Sequence, residues 1–164
     1  RNKEQTFLAE QKHKEIEKEG KKEAQKLYSD QLFVLGVALY WAEGYKQGAY
    51  GGKWKSIDFA NSDPEMIKIM VKFFLKFLKI KKSDIKIQIM IHDSKNIDKA
   101  INFWHNITRV PKNNFIKTSC SISKTSAKKI KRKLAHGTIH LRINNVKQFF
   151  RLIGWIKGLK SKFI

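Results

Sequence analysis

Acidic residues are scarce in this chain, and after Asp98 there are none. Fourteen Asp and Glu stand against 35 Lys and Arg, giving a formal net charge of +21 and a pI near 10.1. Self-repulsion of that size destabilises a compact chain unless a polyanion relieves it, so nucleic acid is the implied partner. Cysteine is nearly absent too. The single Cys120 excludes an intramolecular disulfide and most zinc sites, fits a reducing compartment, and reads as a buried strand residue. No apolar run approaches the roughly 20 residues a spanning helix needs, which argues against a membrane partner. A signal-peptide pattern is also missing, so the expected location is cytoplasmic and nucleoid-associated, or organellar, but not secreted. There is no repeat at fixed period. With 164 residues, 41% of them hydrophobic, one domain with a real core plus an accessory segment is the expected organisation.

Most of the early acids (Glu4, Glu10, Glu15, Glu17, Glu19 and Glu23) crowd residues 1–30, which read as a charged, solvated helical arm interrupted near Gly20. The arm and its opening residue Arg1 suggest a connector from a preceding domain such as a helix-turn-helix. Residues 31–164 form the expected main domain. Ser29 is placed to cap a helix running from Leu32 to Ala42 with scarcely a polar residue, which implies burial on most sides. Residues 45–61, with Gly48, Gly51 and Gly52 between two short segments, read as a hairpin. Ser62 to Glu65 then carry a hydroxyl cap, a first-turn proline and a glutamate three positions on, starting a helix to Leu78.

Ile85 to His92 alternates perfectly, with isoleucines on one side and Lys86, Gln88, Met90 and His92 on the other. An amphipathic helix is expected over Asn96 to Ile107, then a second hairpin made of Phe115–Ile122 and Thr138–Ile143. The last helix, Val146 to Leu159, buries Val146, Phe149, Phe150, Ile153 and Ile156. The fold class implied is α+β, with a curved antiparallel or mixed sheet covered by helices on one face, because every strand has one apolar side.

The uncovered face is the informative surface. Lys86, Gln88, Lys117, Ser119, Ser121, His140 and Arg142 project from it together, and amides, hydroxyls and cations are the groups that read base edges and hold phosphates. Lys128, Lys129, Lys131 and Arg132, in the lysine-rich stretch between the last two strands, form a backbone-gripping arm. Glu43 stands out separately. A carboxylate at the C-terminal end of an apolar helix faces the negative pole of the helix dipole, a cost of about 0.3 to 1 kcal/mol that a divalent cation, or simply Lys46, would offset.

The stretch Gly36-Val37-Ala38-Leu39-Tyr40-Trp41-Ala42-Glu43-Gly44 resembles a divergent copy of the nine-residue motif of LAGLIDADG homing endonucleases, the enzymes encoded by introns and inteins. Gly36 stands where the family has its first leucine, and Trp41 where it has the earlier acid. The resemblance covers Leu32 to Leu159 and implies a homing-endonuclease-like fold. It further implies a sequence-specific double-stranded DNA endonuclease that hydrolyses phosphodiester bonds with Mg²⁺ or another divalent cation. One motif copy implies a homodimer, joined through the motif helix at Gly36, Ala38 and Leu39, on a pseudo-palindromic site. Glu43, with Gly44 beside it, matches the metal-binding end of the motif. Lys46, Gln47 and Lys86 are the candidates for supporting catalysis, and Tyr45, Gln47 and Ala49 would alternate toward the DNA groove. Two other functions suit the same scaffold and charge: a non-catalytic transcriptional regulator, as in sporulation regulators with a LAGLIDADG-like domain, and a maturase-like protein that binds intron RNA.

Overall fold

A computed structural model of the chain describes residues 3–91, 96–120 and 135–164, with Ser119 and Cys120 by backbone alone. In chain order the elements are α1 (Lys3–Leu27), α2 (Gln31–Glu43), β1 (Ile57–Asn61), α3 (Pro64–Phe77), β2 (Lys86–Ile91), α4 (Ile97–Thr108), β3 (Ser119–Cys120), β4 (Thr138–Ile143) and α5 (Val146–Lys160). The chain is α+β. It forms two compact units, Arg1–Ile57 with Asn144–Ile164, and Asp58–Ile143.

In the first unit α1 is one unbroken helix packed along α5. Gly20, expected to interrupt it, is a point of close approach: a β-carbon there would lie 2.5 Å from the Arg151 carbonyl oxygen. Gly154 and Gly158 answer from α5, where β-carbons would fall 2.3 Å from the Glu17 oxygen and 2.7 Å from Ala24 Cβ. Small residues let two backbones approach, and polar groups then fix the register. Arg151 donates from Nε (2.7 Å) and Nη2 to the two oxygens of Glu23, Trp155 Nε1 donates to the same carboxylate (3.0 Å), and Lys157 pairs with Glu17 (2.5 Å). The arm acids are therefore partly structural. α2 is capped by Asp30, whose Oδ1 accepts from Phe33 N–H at 3.1 Å, and not by Ser29. Its Phe33 meets Trp155 of α5 edge-on at 5.2 Å. Val146, expected in the core, is exposed at the first turn of α5, while Phe149, Phe150, Ile153 and Ile156 are buried.

The second unit holds a mixed four-stranded sheet in the order β1-β4-β2-β3. β2 runs antiparallel to β4 and parallel to the two-residue β3. The expected hairpin of the last two strands is thus absent, because β2 lies between them. Ile87, Ile89 and Ile91 of β2 and Ile139, Leu141 and Ile143 of β4 are buried on one side, as their alternation requires. α4 packs on β2 and α3 on α4. The start of α3 is capped by Asp63, whose Oδ1 accepts from Glu65 (2.8 Å) and Met66 (3.3 Å), and not by the Ser62 hydroxyl.

Candidate nucleic-acid interface

On the polar side of the sheet, strand register decides which groups meet. Lys86 stands opposite Arg142, Gln88 opposite His140 and Met90 opposite Thr138. These positions alternate with the buried apolar ones, so Lys86, Gln88, His140 and Arg142 share one face. That face is not purely cationic. Asp58 of β1, only 7% exposed, accepts from His140 Nδ1 at 2.9 Å on Oδ1 and 3.1 Å on Oδ2, and from Arg142 Nε at 3.0 Å on Oδ2. An acceptor-only carboxylate fixes the proton on Nδ1 of His140, leaving Nε2 as the remaining ring nitrogen.

Lys86 is held as well. Its ammonium donates to Asn114 Oδ1 at 3.1 Å, and the Asn114 amide donates to the carbonyls of Ser83 (2.6 Å) and Ile85 (2.9 Å). Asn114 is 5% exposed, so this buried amide spends its capacity positioning one lysine at the start of β2. Gln88 Nε2 reaches the Lys117 carbonyl at 3.3 Å, and Lys117 itself is exposed. Ser119 lies in β3, its backbone beside Met90. Ser121, Lys128, Lys129, Lys131 and Arg132 lie outside the described residues.

In the first unit, Glu43 is the last residue of α2 and is exposed. Gly44 ends the helix by donating its N–H to the Tyr40 carbonyl at 2.8 Å, and a β-carbon there would lie 2.6 Å from the Tyr40 ring, which requires glycine. Lys46 Nζ donates to the Gly44 carbonyl at 2.5 Å. Burial pushes the Lys46 amine below its ordinary 10.5, and the charge of Glu43 opposes that shift. The expected hairpin does not form. Gln47–Tyr50 winds into a 3₁₀ turn closed by Gly51 at φ 92° and by the Gly52 N–H on the Gln47 carbonyl at 2.9 Å. Tyr45, Gln47 and Ala49 consequently do not alternate along a strand. Tyr45 instead donates its hydroxyl to the Trp54 carbonyl (3.2 Å), and Gln47 is exposed.

The comparisons with family models, curated proteins and solved structures found no match.

As a metal ligand set the α2 terminus is partial. The Glu43 carboxylate is a hard oxygen donor of the kind Mg²⁺ takes, whereas the Gly44 carbonyl already accepts an ammonium. Among the described residues no three or more His, Cys, Asp or Glu cluster around a common point. The proposed dimer helix also differs from expectation. Gly36 turns inward with Phe33, Val37 and Tyr40 and is buried, Leu39 is half-buried, and Ala38 is exposed. The open stripe consists of Leu35, Ala38, Trp41 and Ala42, with Leu35 43% and Trp41 45% exposed. Lys160 Nζ lies 5.3 Å from the centre of the Trp41 ring. No helix among the described residues is long and apolar enough to cross a membrane.

Sequence reasoning missed Asp58 and Asn114. Asp58 does sit on the polar side of an alternating strand, but alternation cannot tell that β4 lies beside it. Asn114 gave no signal at all, since a lone amide before a strand is ordinarily a turn residue.

Proposed function

We propose that this chain is a LAGLIDADG-type, sequence-specific double-stranded DNA endonuclease that works as a homodimer with Mg²⁺. The observation that carries the proposal is the exposed Glu43 carboxylate ending a helix whose Leu35, Ala38, Trp41 and Ala42 form an uncovered apolar stripe. An acid placed against the helix dipole calls for a cation, and an exposed apolar stripe on the same helix would be covered by a second copy of it. Each chain then lends one Glu43 as a metal ligand, with Lys46 beside it. Mg²⁺ bound there would activate water and steady the leaving oxygen. Lys86, Gln88, His140 and Arg142 supply the contacts to the duplex, within an overall charge that favours any polyanion.

The test is incubation with Mg²⁺ and a randomised duplex library. Wild type should cut, and Glu43→Gln should bind the same duplexes without cutting; no cleavage by either protein removes the nuclease. The contact between Lys46 and Gly44 favours a second reading, in which an ammonium stands where a metal would be and the chain is a DNA-binding regulator. Duplex binding that is metal-independent and unchanged in Glu43→Gln, without cleavage by either, assigns that role. Tighter binding of structured RNA than of duplex DNA assigns the maturase-like one.

A further inference from the structure

We infer that Asp58 presets Arg142 as a reader of the acceptor edge of a guanine, which makes the Asp58–His140–Arg142 cluster a specificity-determining point of the sheet face. The inference deepens the duplex-DNA proposal and rests on it. Asp58 lies 3.0 Å from the Arg142 guanidinium, close enough to oppose the attraction Arg142 would exert on a phosphate. A group meant only to grip the backbone is therefore weakened by its presence. A base edge is different. Guanine offers the neutral acceptors N7 and O6 to the major groove, and reading them depends on donors held in fixed directions more than on net charge.

The cluster supplies that fixity. Asp58 is 7% exposed and anchored in β1, so it has little freedom to turn. His140 Nδ1 lies against both carboxylate oxygens, at 2.9 and 3.1 Å, which keeps the carboxylate aligned beside Arg142. Arg142 is engaged through Nε, and a guanidinium gripped there is fixed in plane while its terminal nitrogens carry further N–H donors. With side chains 28% exposed for Arg142 and 24% for His140, both reach the surface without lying loose on it. Gln88 stands directly opposite His140, and Lys86 opposite Arg142, so the cluster sits within the polar face.

The experiment begins with duplexes selected by the full chain from a randomised pool, then compares affinity for the selected duplex and for a scrambled one. Wild type should enrich a guanine whose replacement by 7-deazaguanine lowers affinity on the order of tenfold. In Asp58→Asn the ratio of selected to scrambled affinity should fall by roughly tenfold or more, and 7-deazaguanine should then cost nothing further. Affinity for the scrambled duplex should hold or rise, because an acid has been removed. A merely structural or electrostatic role for Asp58 would change both duplexes alike. Arg142→Lys, which keeps the charge and loses the fork, is read in the same way and carries the test if Asp58→Asn does not fold. Selection without a guanine, indifference to 7-deazaguanine, or an unchanged ratio in both variants overturns the inference and leaves DNA binding standing; no duplex binding by wild type overturns both.

Discussion

A methyl group is enough to separate α1 from α5. A β-carbon at Gly154 would meet the Glu17 carbonyl oxygen at 2.3 Å, and backbone cannot yield as a flexible side chain can. Gly154→Ala is accordingly expected to lower unfolding free energy by about 1 to 3 kcal/mol, measured by urea denaturation, even though alanine is the better helix former. Removing Asn114 acts by a different route. Asn114→Ala leaves the Ser83 and Ile85 carbonyls short of a donor and should cost about 1 to 3 kcal/mol in the same assay. His13 adds a dependence on pH. Burial, reinforced by the charges of Lys55 and Lys12 and opposed by Glu10, holds its imidazole below the ordinary 6.5, while the ring stacks on Phe150 at 4.1 Å. Below 6.5 the unfolded chain binds this proton more readily than the folded one, so His13 lowers stability as pH falls through that window and has no such effect above it. Urea midpoints at pH 8 and pH 5 should differ less in His13→Gln than in wild type.

At the scale of elements, what the pattern of residues carried was the side a residue faces, and what it did not carry was the neighbour it meets. The alternation of Ile87, Ile89 and Ile91 against Lys86 and Gln88 told correctly which side of β2 is buried. It says nothing of strand order, so the two strands after residue 115, neighbours in sequence, read as a hairpin although β2 separates them. Gly20 looked like a helix breaker because its partner is a backbone more than a hundred positions away. The glycines near residue 50 suggest the bend of a hairpin and instead close a 3₁₀ turn. For the candidate site, Glu43 at a helix end and the shared face of Lys86, Gln88, His140 and Arg142 were legible. The hold of Asp58 on two of them was not, since it depends on β1 lying beside β4. Both helix caps fell one residue later than expected, on Asp30 and Asp63, where a carboxylate lies within reach of the first free N–H groups. Asp30→Ala and Asp63→Ala should each cost about 1 kcal/mol by thermal or urea unfolding, whereas Ser29→Ala and Ser62→Ala should stay near zero.

For the molecule as a whole, charge and self-association are the measurable quantities. Each phosphate neutralised should steepen the salt dependence of DNA affinity by about 0.9 log units per log salt, so replacing the exposed Lys117 by alanine should lower that slope by about one. If the α2 stripe joins two copies, Ala38→Glu should yield monomers in sedimentation while leaving thermal stability at high dilution unchanged, because Ala38 is exposed in the single chain. The interlock of Gly20 and Ala24 with Gly154 and Gly158 has a consequence for how this protein can change over generations. One residue added between Glu17 and Glu23 would turn everything beyond it by about 100°, swinging Gly20 or Ala24 and the Glu23 anchor off α5 in one stroke. An insertion ahead of Phe7 would disturb none of these. The middle of α1 is thus frozen in length and open only to exchange of one side chain for another.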